Sequence, residues 1–142
     1  ARMGDPETQV YLPRLENDLV ELLDACVDQT LDKIQLKWSP LTAVCVVMAS
    51  GGYPGSYAKG KAITGLAEAN RLPNTKVFHA GTIHSGETIL TNGGRVLGVT
   101  AWGASLSAAR DLAYAAVEKI HFDGAQYRRD IGAKALRFSG AV

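Results

Sequence analysis

Between Pro40 and the pair Gly51-Gly52 runs an apolar stretch, Thr42–Ala49 (TAVCVVMA), rich in β-branched residues. Its composition and its turn-forming flanks predict a buried strand. Extended to Leu41, it is still far too short to span a bilayer. The pattern differs on either side of it: helical periodicity before, short strand-like pieces after, and a helical stretch near the end. Helices, then mainly antiparallel strands, then a packed helix, make an α+β chain.

Asp5-Pro6-Glu7 reads as a helix start, with Asp5 as cap and Pro6 in the first turn. Pro13 limits or bends that helix. A second helix follows, with Asp18 and Glu21 at capping-box spacing. Its apolar face is expected to be Leu15, Leu19, Leu22, Leu23, Cys26, Val27 and Leu31. Trp38-Ser39-Pro40 closes the region. After Thr42–Ala49 comes a glycine-dense loop, Ser50–Gly60, then a short strand within Lys61–Thr64 and a turn over Arg71–Thr75. Lys76–Thr82, Glu87–Thr91 and Arg95–Ala101 read as three strands of a meander. Ser85-Gly86 would link the first pair, and Asn92-Gly93-Gly94 the second as a hairpin. Ser105 or Ser107 can cap the last long helix, whose inner face is Leu106, Ala109, Ala113, Ala116, Val117 and Ile120. Phe122–Leu136 is expected to pack back as short pieces.

Fifteen basic residues against fourteen acidic ones give a net charge of +1. No global field favours nucleic acid or an anionic membrane. Cys26 and Cys45 lack metal-type spacing and read as small buried hydrophobes in a reducing compartment. The three histidines are scattered, and His79 reads as structural. The polar, turn-like opening carries no signal-peptide pattern, and the chain is expected to begin inside a larger protein.

Three segments carry candidate chemistry, each beside a plainer reading. Gly51, Gly52 and Gly55 could let backbone N–H groups cradle an anion, with Lys59 adding charge; alternatively the loop is a connection held by Tyr53 and Tyr57. Asn92-Gly93-Gly94-Arg95 could present a guanidinium fork to a phosphate, or end in a solvated arginine. Arg2, just before a helix start at Asp5, could hold an anionic substrate, or precede an ordinary surface helix. Arg128-Arg129-Asp130 reads as a solvated or salt-bridged charge cluster. Neither a nucleophile–base pair nor a pair of close carboxylates stands out.

Five blocks occur together and in order: ARMGDPETQ at 1–9, SGGYPGSYAKG at 50–60, VFHAGT at 77–82, TNGGRVLGVTA at 91–101 and YRRDIG at 127–132. In this the chain resembles the phosphoribosylamine–glycine ligases along essentially its whole length. The resemblance implies an ATP-grasp enzyme of purine biosynthesis that joins glycine to 5-phosphoribosylamine, using ATP and magnesium, with manganese as a possible substitute. It implies that residues 1–40 end the ATP-grasp domain and that 41–142 form the C-terminal domain. The family's metal ligands lie in a Glu-x-Asn stretch just before the block that here begins at Ala1. The chain is therefore expected to lack them, to need the preceding part of the same enzyme as partner, and to be inactive alone.

With the resemblance, Arg2, Asp5, Gly51, Gly52, Lys59, Gly94 and Arg95 are the expected substrate-binding residues, and Arg2 and Arg95 match arginines that hold the ribose phosphate in related purine-pathway ATP-grasp enzymes. It implies a cytoplasmic enzyme with small-molecule substrates, away from nucleic acid and membranes. Two other functions stay open. One is a carrier or adaptor module, which would display a lysine at a tight hairpin; Asn92-Gly93-Gly94 has none. The other is a different purine-pathway ATP-grasp enzyme, against which the GDPETQ and YPGSYAKG blocks count.

Overall fold

The structure, a computed structural model, describes residues 3–139. Strands β1 (Thr42–Ala49), β3 (Thr75–His79) and β6 (Arg95–Gly103) form an antiparallel sheet in the order β1-β6-β3. β2 (Ala62–Ile63), β4 (Thr82–Ser85) and β5 (Thr88–Thr91) form a second one, in the order β2-β5-β4. Helix α4 (Leu106–Val117) supports the first sheet, and α3 (Leu66–Asn70) packs beside β3 and α4. Alternation along β1 sends Val44, Val46 and Met48 into the core with Val99 and Ala101 of β6 and Ala109, Ala113 and Ala116 of α4. The other face carries Cys45 and Gly98, beside Gln9 of α1 (Thr8–Tyr11).

The β1 boundaries are those expected from sequence. Ser105 caps α4, accepting from the Ala108 N–H at 3.2 Å, while Ser107 turns to Asp111. The expected inner face of α4 is the observed one. The Phe122–Leu136 region packs back as an extended piece at Gln126, bridged to Ala49, and as α5 (Ala133–Ser139).

The meander is replaced by a different path. β4 and β5 pair across the Ser85–Thr88 turn, and β3 pairs with β6, but β5 and β6 lie in different sheets. The two arms, 75–85 and 88–103, form one bent hairpin. Its bend falls where Gly81 meets Gly93: a Cβ on Gly81 would lie 2.6 Å from the Gly93 Cα. Asn92 N–H donates to Gly81 O at 2.7 Å, and Gly81 N–H donates to Arg95 O at 2.9 Å. Asn92-Gly93-Gly94 is thus a kink in one arm and not a chain reversal. Gly93 serves the close passage of two backbones, a use of glycine that the dipeptide signal does not distinguish from a turn.

The first helix also differs. It begins at Thr8, and its cap residue is Glu7, without a side-chain cap bond. Asp5 is engaged instead by Arg95. Helix α2 (Leu19–Val27) does begin at the expected cap, where Asp18 accepts from Val20 and Glu21 N–H groups at 2.7 and 3.4 Å. Its expected apolar face packs only in part: Leu22 is buried with Ala25, and Leu15 and Leu19 are half-buried, whereas Leu23 and Val27 are 55% and 80% exposed. Cys26, expected inside, is exposed; Cys45 is partly covered, and burial pushes its thiol pKa up. His79 lies exposed at the end of β3, its Nδ1 3.1 Å from the Thr82 hydroxyl, and desolvation lowers its pKa.

Candidate functional site

The kink delivers Arg95 to the start of β6, where it lines a cavity of about 410 Å³ with Val47, Ala49, Tyr53, Gln126 and Tyr127 among its walls. Arg95 Nη2 pairs with Asp5 Oδ2 at 3.0 Å, and Nη1 donates to the Asp5 carbonyl at 3.4 Å. Both side chains are half-exposed. Only Nη1 donates a hydrogen bond to Asp5, to its carbonyl, and the contact at Nη2 is an ion pair. Nε–H and three terminal N–H groups make no other hydrogen bond among the described residues, enough for a two-pronged bond to an oxyanion. The Asp5 carboxylate also accepts from Gln9 Nε2 at 3.1 Å, which ties it to α1. Asp5 therefore holds the guanidinium and does not cap a helix.

Gly94 is buried under the Tyr53 ring, and a Cβ there would fall on the ring carbons. The Ser50–Gly55 loop is locked to the kink: Ser50 Oγ donates to Gly93 O and Ser50 N–H to Gly94 O, each at 2.8 Å. Gly51 backs onto the Gly124 carbonyl, and Gly52 lies against the Ser56 carbonyl. Gly52, at φ +94°, is thus explained by the loop itself and Gly51 by the close passage of Gly124. Lys59 is exposed and is not a wall of the Arg95 cavity. Arg2 lies outside the described residues.

Gln126, Tyr127 and Arg128 reach the cavity without having been singled out as site residues. Arg128 is also held by a carboxylate: its Nε and Nη2 donate to Asp130 at 2.8 and 2.6 Å. That bond lowers the Asp130 pKa and raises that of Arg128. Arg129 stacks over Tyr127, 5.1 Å from the ring centre. The charge cluster is salt-bridged as expected, and its first arginine also borders the cavity. Among the described residues, no group of three or more His, Cys, Asp or Glu could hold a metal ion. No helix among those residues is long and apolar enough to cross a membrane.

An arginine at a glycine kink, backed by a carboxylate and facing an aromatic-walled cavity, suits a small phosphorylated ligand. The family pattern described as phosphoribosylglycinamide synthetase, C domain, matches residues 43–134. The chain belongs to this family. The C-domain match includes the kink, the glycine loop and Gln126, whereas Asp5 lies before it. Phosphoribosylamine–glycine ligase of Synechocystis sp. is 59% identical over 95% of this chain and 32% of that protein. Its Pseudomonas aeruginosa counterpart is 53% identical over 95% and 31%. The bifunctional purine biosynthetic protein purD of Dictyostelium discoideum is 52% identical over 95% of this chain and 17% of its own length. The crystal structure of the Thermotoga maritima phosphoribosylamine–glycine ligase superposes with a TM-score of 0.70 at 35% identity, over 92% of this chain and 32% of that one. The chain thus spans about a third of the length of the first two ligases and of the solved structure.

Proposed function

We propose that this chain is the C-terminal part of an ATP-dependent ligase that joins glycine to 5-phosphoribosylamine. The products are glycinamide ribonucleotide, ADP and phosphate. Its task there is to bind the ribose phosphate at Arg95. The observation that carries the reading is the Arg95 fork, held on one side by Asp5 and bordering the cavity on β6. Gly94 leaves room for the Tyr53 ring that walls the site. Gly51 and Gly52 shape the loop, Lys59 adds positive charge on it, and Arg2 is a further candidate for binding the anionic substrate.

Residues 1–40 belong, on this reading, to the end of the ATP-grasp domain and 41–142 to the C-terminal domain. The start of the family match at residue 43 and the exposed apolar side chains before it support that division. ATP and a magnesium or manganese ion are held by the rest of the enzyme, in the cytoplasm. A carrier role is disfavoured because the observed hairpin turn, Ser85-Gly86-Glu87-Thr88, displays no lysine.

The test is ADP release by the full-length protein containing this sequence, with glycine and phosphoribosylamine both present and with each omitted. ADP release that needs both substrates, with glycinamide ribonucleotide found by mass spectrometry, is expected. The 142-residue chain alone is expected to form no product. ADP release indifferent to phosphoribosylamine contradicts the assignment.

A further inference from the structure

We propose that Gln126 is a positioning residue for this site: its side-chain amide fixes the loop that lays Tyr53 against Gly94, and so sets the aromatic wall beside Arg95. The inference rests on the reading of Arg95 as the phosphate-binding group.

Gln126 is anchored first by its own backbone. It exchanges two hydrogen bonds with Ala49, the last residue of β1, with Ala49 N–H to Gln126 O at 2.8 Å and Gln126 N–H to Ala49 O at 2.9 Å. Its Nε2 then donates twice, to Ser50 O at 3.1 Å and to Tyr53 O at 3.0 Å. Those two carbonyls belong to one tight turn, closed also by Tyr53 N–H to Ser50 O at 3.1 Å. A primary amide is suited to this task, because its nitrogen carries two donors. Ser50 grips the kink from the other side through Gly93 O and Gly94 O. One short segment, 50–53, is thereby fastened both to Gln126 and to the backbone that delivers Arg95.

The loop needs such a fastening. Residues 51–60 are all exposed, and Gly51, Gly52, Gly55 and Gly60 give it wide backbone freedom. Tyr53 makes an edge contact with Tyr57 at 6.3 Å, but both rings remain partly open to solvent. Without the amide, the Ser50 and Tyr53 carbonyls each lose a donor, and Tyr53 is left tied only by its backbone N–H to Ser50 O.

The experiment is steady-state kinetics of the full-length protein carrying Gln126→Ala, Gln126→Glu, Tyr53→Ala, the Gln126→Ala/Tyr53→Ala pair, and Arg95→Ala as reference. Gln126→Ala should raise KM for phosphoribosylamine about five- to tenfold, the scale of one or two lost neutral hydrogen bonds, and leave KM for ATP and glycine within about twofold. Gln126→Glu keeps the shape but sets a carboxylate against two carbonyls, and should be at least as impaired. Because Gln126 acts through Tyr53, the double variant should be no worse than Tyr53→Ala alone. A lowered Tm with unchanged KM, or additive effects of the two single changes, would make Gln126 merely structural and overturn the inference. If Arg95→Ala alone raises that KM, the phosphate site stands and the positioning role is wrong; if no variant moves it, both fail.

Discussion

Asp5 and Arg95 stand 90 residues apart in the chain and meet through an ion pair of 3.0 Å between Oδ2 and Nη2. The pair joins the segment before α1 to the first residue of β6. A half-exposed pair of this kind contributes roughly 0.2–1 kcal/mol to stability, so its value lies mainly in orientation.

Asp5→Ala should therefore lower Tm only slightly and raise KM for phosphoribosylamine about two- to fivefold as the fork loses its support. Steady-state kinetics and a thermal melt of the full-length variant check both. A lowered KM would mean that Asp5 competes with the phosphate for Arg95 and does not orient it.

Gly94→Ala should be far more damaging. The new methyl would occupy the place of the Tyr53 ring, and the neighbouring backbone is fixed by Ser50. Overpacking of this sort costs about 1–3 kcal/mol. The expected signs are a lower denaturation midpoint and a weaker response to phosphoribosylamine. An unchanged midpoint would show that the ring moves aside freely.

How much of this was visible in the sequence depends on the range over which each feature is determined. β1 and the inner face of α4 follow from local composition and periodicity, and both stand where those signals put them. The Asn92-Gly93-Gly94 signal misleads because Gly81, eleven or more residues earlier, turns a hairpin motif into a crossing point. Asp5 looks like a cap because its neighbours are helix-starting residues; its partner on β6 is invisible locally. Arg95 next to the permissive backbone of Gly94 is readable locally, while its assignment to a phosphate comes from the family resemblance. Gln126 carried no local signal, since its two acceptors lie 76 and 73 residues away. The α2 stripe has the right period, but periodicity does not say what covers a face.

That stripe gives a prediction for the 142-residue chain itself. Val20, Leu23 and Val27 are exposed, while β1 and β6 supply much of the core. Amides of Leu19–Val27 should exchange with deuterium much faster than those of Val44–Met48 and Val96–Ala101. Exposed apolar side chains should also promote concentration-dependent association, visible by light scattering. Equal protection in a monodisperse monomer would contradict both.

The central claim, that Arg95 binds the phosphate of phosphoribosylamine, is tested most directly by KM for that substrate in the full-length Arg95→Ala and Arg95→Lys variants. Charge-assisted hydrogen bonds contribute roughly 1.5–3 kcal/mol each, and about 1.4 kcal/mol is a factor of ten. Arg95→Ala should raise KM about tenfold or more, and Arg95→Lys should recover part of the loss, because the charge returns without the fork. KM for ATP and glycine should stay within about twofold. A folded Arg95→Ala variant with an unchanged KM for phosphoribosylamine would contradict the account and leave Arg95 as the surface partner of Asp5.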